Sequence, residues 1–276
     1  MPPENIDRPG RGEANPRRVL LSFDVEEFDL PGEYGALPPP EVQMNVGAAG
    51  LVAVLDLLDR LDLRATFFTT AVFAAARPAL IRRIAARHEL ASHGWEHSRF
   101  TEADLARSKA ELERLSGTVV RGFRRARFGA FDRAALAAAG YRYDSSDNPI
   151  WLPGRYNNLG SPRTVHRADG VVKIPISASP LVRYPLFWLS FKHTPPALFR
   201  AVSRWTLAHD GYLNLFFHPW EFTPLAAFRL PALVSRFAGP PMVARLEAYL
   251  RWLQPHGTFE TLGEFAARWE SRSGKV

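Results

Sequence analysis

An α/β fold, arranged as a single distorted barrel of seven or eight β/α units, is predicted by three observations. Short apolar runs end in polar residues, as where residues 19–23 meet Asp24. Stretches of helical period separate these runs, and the alternation extends over nearly all of the 276 residues. Repeated strand and helix units imply a parallel sheet, either closed into a barrel or doubly wound, and the barrel is the expectation carried forward.

The elements follow in order. After the strand at 19–23, Leu51, Val54, Leu55, Leu58 and Leu61 recur at helical intervals, with Asp56, Asp59 and Arg60 on the opposite side. A strand at 65–69, a helix at 78–87 with proline in its first turn, and a strand at 89–92 come next. Residues 102–116 read as a helix with a capping box between Thr101 and Asp104, ended by Gly117. Further strands are predicted at 119–123, 141–143, 171–176 and 212–217, and further helices at 132–139, 198–209, 242–253 and 263–269. Residues 31–41 and 148–166 break the pattern and read as loops over one face. The domain so defined spans 19–270, between a Pro-, Gly- and Arg-rich leader (1–18) expected to be disordered and a short tail (271–276).

Composition narrows the chemistry. The chain has no cysteine, which excludes disulfides and thiolate ligands and leaves His, Asp and Glu to hold any metal. The leader lacks the apolar stretch of a signal peptide, so a cytoplasmic location is the expectation. The net charge of +7 favours anionic partners such as phosphate or a membrane surface, although arginine-rich composition alone produces the same value. No nucleic-acid partner is expected.

Asp24, Glu26, His93, His97, Arg124 and His218 each follow a predicted strand directly. In a parallel barrel the carboxyl ends of the strands meet on one face, where catalytic groups gather. Two histidines four apart can reach one ion from a helical turn but are a weak signal by themselves, and an Asp-Val-Glu-Glu run reads equally well as a solvated turn. Together they offer two imidazoles and one carboxylate to an ion, with a second carboxylate free to take a proton.

These segments resemble, in order, the motifs of the polysaccharide deacetylase family of carbohydrate esterases, which includes chitin and peptidoglycan deacetylases. The resemblance runs from Val19 to about Phe222. It implies Asp24 as the catalytic base, Glu26, His93 and His97 as metal ligands, Arg124 as the residue holding the base, and His218 as the general acid. In the histidine motif Gly94 stands where the family has a small hydroxyl residue. In the arginine motif Ala126 replaces a proline, beside the Arg127 N–H that would stabilise the oxyanion. Asp144, after the fifth strand, and Trp220 are further candidate substrate contacts, and Glu221 reads as a surface residue. No counterpart of the family's fourth motif is evident.

The implied activity is a metal-dependent hydrolase that removes an N-acyl group, acetyl first, from an amino sugar of a glycan or lipid-linked saccharide. The ligand types suit Zn²⁺, with Co²⁺, Ni²⁺ and Fe²⁺ as alternatives. Hydrolysis of another non-peptide C–N bond, by a deformylase or a cyclic imide hydrolase, is one competing function; a noncatalytic carbohydrate-binding barrel is another. Residues 185–191, aromatic and flanked by Arg183, Lys192, His193, Arg200 and Arg204, are read either as a core helix or as an interfacial element meeting an anionic inner membrane face.

Overall fold

The computed structural model describes residues 17–273, so most of the expected leader and the last three residues lie outside the described part. Strand β1 (Arg18–Val25) is followed by helix α1 (Pro40–Leu61), β2 (Thr66–Thr69), α2 (Ala71–Ala76), α3 (Pro78–Arg87), β3 (Glu89–Ser92), α4 (Ala103–Ser116), β4 (Gly122–Phe123), α5 (Ala135–Ala138) and β5 (Tyr143–Asp144). A small hairpin, β6 (Trp151–Leu152) and β7 (Tyr156–Asn157), precedes β8 (His166–Ala168) and β9 (Val171–Lys173). Helices α6 (Trp188–His193) and α7 (Pro196–Asp210) lead to β10 (Tyr212–Phe217), and α8 (Ala232–Ser235), α9 (Pro240–Leu253), β11 (Thr258–Glu260) and α10 (Leu262–Ser273) complete the chain.

The expected barrel is present as a curled sheet. Strands β10, β1, β2, β3, β4, β5 and β9 run parallel in that spatial order, and β8 adds antiparallel to β9. Between β9 and β10 an irregular segment forms the seam, where Ser177 N–H donates to Asn214 O at 3.0 Å. The Asn214 amide reinforces this join by donating to Ile174 O, Pro175 O and Ser145 Oγ at 3.0–3.1 Å. A side chain thus supplies hydrogen bonds that regular strand pairing would have made.

Period-two alternation along β1 decides what reaches the site. Val19, Leu21, Phe23 and Val25 join the cluster containing Leu51, Leu55 and Leu58 of α1, while Leu20 packs inside the curl with Phe68, Ala91 and Val172. Ser22, Asp24 and Glu26 continue the inner row past the strand's carboxyl end. At the opposite end α10 closes the sheet: Leu262 N–H donates to Thr66 Oγ1 and Gly263 N–H to Glu89 Oε2, both at 2.9 Å.

Several boundaries differ from expectation. Helix α1 begins at Pro40, inside the expected loop, because Pro40 supplies a pre-set φ in the first turn. Strand β11 was not anticipated: its three residues pair with the first half of β1, a run too short to carry a period. The 185–191 segment packs partly into the core and partly along the site. Leu186, Phe187, Phe191 and Lys192 are buried, and Trp188 and Leu189 line the cavity described below.

His88, after α3, is 7% exposed, with its ring edge-on to Phe67 and no hydrogen-bond partner for Nδ1. Burial lowers its pKa from 6.5 to about 4. The unfolded chain therefore binds a proton that the folded chain refuses as pH falls from 6.5 to about 4. Stability is expected to drop through that window and to level off below it, by on the order of 2 kcal/mol for this group. Urea denaturation across pH should show the drop, and His88→Leu should remove that part of the slope.

Candidate active site

The carboxyl ends of the parallel strands surround a cavity of about 460 Å³ whose lining includes Asp24, Glu26, His93, His97, His218 and Trp220. Its outer walls are largely apolar, with Phe128, Tyr156, Phe187, Trp188 and Leu189 among them.

Glu26, His93 and His97 form the innermost group, all buried. Glu26 Oε2 lies 3.3 Å from His93 Nε2 and 3.1 Å from His97 Nε2. Two ligands each about 2.1 Å from a tetrahedral ion would stand roughly 3.4 Å apart, so these separations fit a shared cation. Other hydrogen bonds agree with that use. His93 Nδ1 pairs with Arg124 O at 2.8 Å and His97 Nδ1 with Asp29 Oδ1 at 2.7 Å, which places N–H at Nδ1 and leaves a lone pair on each Nε2. Trp220 Nε1 donates to Glu26 Oε1 at 3.1 Å, whereas Glu26 Oε2 is buried without a hydrogen-bond partner. The carboxylate and both imidazoles therefore fit a divalent metal. Burial alone would raise the Glu26 pKa, but the imidazoles of His97, His218 and His93 overcome it and hold the carboxyl well below the usual range.

The two histidines belong to an irregular loop, not to the helical turn their spacing suggested. Gly94 has φ +92°, where a side chain is strained, so this backbone path favours glycine. Glu27 is no ligand; it accepts a hydrogen bond from Thr70 Oγ1 at 2.7 Å.

Asp24, 2% exposed, accepts a 2.5 Å hydrogen bond from Arg124 Nη1 at Oδ1. Arg124 is fully buried, donates from Nε to Ser145 O at 3.2 Å and from Nη2 to Ser145 Oγ at 3.0 Å, and lies 4.0 Å over the Phe68 ring. Its fixed fork thus holds one oxygen of Asp24. Among the described residues nothing donates to the other.

His218 stacks on Trp220 at 4.8 Å and meets the edge of Trp188 at 5.3 Å. Glu221 is fully buried, contrary to the surface reading, and its Oε1 takes the His218 backbone N–H at 2.8 Å and lies 3.2 Å from Nδ1. Burial works against the imidazolium, but the charges of Glu26, Glu221 and Asp24 outweigh it, and the His218 pKa is raised. Helix α1 presses against the following turn, Pro219–Phe222: a Cβ on Gly50 would stand 1.8 Å from Pro219 O, and one on Gly47 2.9 Å from Glu26 O.

The remaining predicted residues divide. Arg127 borders the cavity in a left-handed turn (φ +58°), and its guanidinium is committed to Asp29 and Glu33. Trp220 lines the cavity, where its indole N–H orients Glu26. Asp144 does not line it. Its carboxylate pairs with Lys173 Nζ at 3.1 Å and holds Ser146, whose Oγ accepts the Arg125 N–H at 2.8 Å, so it braces the arginine turn from behind. Sequence reasoning missed Asp29 and Ser145, and it read Lys192 only as a cation flanking residues 185–191. Asp29 could have been suspected, since it closes the acidic run after β1.

Residues 11–143 match the family model described as polysaccharide deacetylase. That span holds Asp24, Glu26, His93, His97 and Arg124 and ends before His218. Among curated proteins no match was found. The fold is similar to a Mycobacterium smegmatis structure described as a polysaccharide deacetylase (TM-score 0.67, 18% identity, 97% of this chain and 95% of that one). It is also similar to a structure named Puue allantoinase (TM-score 0.61, 18%, 96% and 98%) and to a peptidoglycan N-acetylglucosamine deacetylase (TM-score 0.51, 16%, 91% and 88%). The matched span carries five of the six motif residues and the curled parallel sheet carries the sixth to the same cavity, so the chain is similar to the polysaccharide deacetylase family in the residues of the site and in fold.

Proposed function

We propose that the chain is a metal-dependent hydrolase that removes an N-acyl group, acetyl first, from an amino sugar of a glycan or lipid-linked saccharide. The observation that carries this reading is the buried, unpartnered Glu26 Oε2 facing two imidazole nitrogens, with Asp24 and His218 on the same cavity.

Glu26, His93 and His97 would hold the ion, with Zn²⁺ favoured by two nitrogens and one oxygen. When bound, the metal supplies Lewis acidity that polarises the acyl carbonyl and makes water a better nucleophile at neutral pH. Asp24 takes the proton of the attacking water at the oxygen Arg124 leaves free. The Arg127 N–H, in the turn bordering the cavity, is the assigned donor to the oxyanion. His218, held at Nδ1 by Glu221, gives a proton from Nε2 to the departing nitrogen. Trp188 and Tyr156 offer aromatic surface to the apolar face of a sugar ring.

Acetate release from N-acetylated oligosaccharides is the test, with Zn²⁺ or Co²⁺ added and the metal content measured. Activity should need about one ion per chain and vanish with a chelator. Formate or a ring-opened acid as the sole product, from the corresponding substrates, would favour hydrolysis of another C–N bond. Sugar binding with neither metal uptake nor turnover would favour the noncatalytic barrel.

A further inference from the structure

Lys192 is a buried cation that the chemistry outlined above leaves unused. It lies in the last turn of α6, its side chain fully withdrawn from solvent, while its neighbour His193 is exposed. An ammonium group removed from water is costly unless it is paired. Its Nζ lies 3.3 Å from Glu221 Oε2, donates to Val234 O at 2.9 Å, and stands 5.2 Å above the Trp188 ring. The two oxygens of Glu221 are therefore divided. Oε2 faces Lys192, and Oε1 serves the backbone N–H and Nδ1 of His218. Lys192 is not part of the cavity wall and reaches the site through its neighbours, of which Glu221 is the one bonded to His218. Helix α6 also places Trp188 edge-on against the same imidazole, so one short helix contributes both the ring beside His218 and the cation behind its carboxylate.

We propose that Lys192 is a positioning residue for leaving-group protonation: it anchors Glu221 Oε2, which fixes Oε1 on His218 Nδ1 and keeps Nε2 aimed at the departing nitrogen. This role rests on the deacetylase reading. Protonation matters only where the leaving group is poor. An amine cannot depart from a tetrahedral intermediate without a proton, whereas a nitrophenolate can, so the two classes of substrate separate the acid's contribution from that of the metal and Asp24.

The experiment compares wild type with Lys192→Met, which keeps length and removes charge, on an N-acetylglucosamine oligomer and on 4-nitrophenyl acetate. The amide kcat should fall roughly tenfold to a hundredfold, with KM, metal content and ester hydrolysis within about twofold of wild type. Equal loss on both substrates, or no loss on the amide, overturns the proposal. Should the single variant fail to fold because Glu221 is left unpaired, Lys192→Met/Glu221→Gln is compared with Glu221→Gln alone: equal amide kcat within about twofold supports action through Glu221, and a further loss of about tenfold in the double variant overturns it. A wild-type protein that hydrolyses no N-acyl compound defeats the deacetylase reading itself; an active wild type with unselective variants defeats only the role of Lys192.

Discussion

Replacing Asp24 by Asn is expected to leave the metal bound and to lower kcat by roughly 10³, about 4 kcal/mol of transition-state stabilisation. The amide is nearly the same shape, and its carbonyl can still accept from Arg124 Nη1, but it cannot take a proton from water. Ion binding should survive because the three ligands are Glu26, His93 and His97, with Asp24 set apart on Arg124. The substitution also leaves the fully buried Arg124 without its counter-charge, at a cost of on the order of 2 kcal/mol, since the bonds to Ser145 remain. Acetate release, metal analysis and thermal melting distinguish these effects. A variant retaining more than a tenth of wild-type turnover would remove Asp24 from the role of base.

Gly50→Ala is the structural counterpart. The added methyl would stand 1.8 Å from Pro219 O and 2.5 Å from Pro219 C, and neither is the flexible end of a side chain. Backbone must move, either α1 or the turn that follows His218. Overpacking of this kind costs about 3 kcal/mol or more, which at roughly 2–4 °C per kcal/mol for a domain of this size lowers Tm by about 6–12 °C. Because the displaced segment carries His218, turnover should fall as well. Metal content should fall less than turnover, since this turn reaches the three ligands only through the Trp220 indole N–H on Glu26. An unchanged Tm would mean that α1 and the turn are not in the contact described.

The two glycines of α1 illustrate what the sequence conceals. Both were visible, yet a glycine inside a helix reads as a weakness until the chain passing beside it is known. The strands that carry the site were legible because burial on both faces demands continuous apolar runs, as at 212–217, where expectation and structure coincide. Asp24, Glu26, His93, His97 and His218 were legible because each interrupts such a run or follows it. Glu221 was misjudged for a physical reason: glutamate is seldom buried without a partner, and its partner Lys192 lies 29 positions earlier in another element. Four-residue spacing of two histidines serves a helical turn and an irregular loop alike, and only Gly94 with its positive φ separates them.

The seam between β9 and β10 ties the sheet's closure to the geometry of catalysis. Asn214 Nδ2 reaches Ser145 Oγ, the same oxygen that receives Arg124 Nη2, and Arg124 in turn holds Asp24. Any fluctuation that unzips this edge loosens the proton acceptor in the same motion, while Glu26 and the two histidines, carried by β1 and the segment after β3, keep their places. A partly opened molecule would thus still capture an ion yet be unable to use it, so turnover, more than metal content, reports whether the last parallel strand has docked.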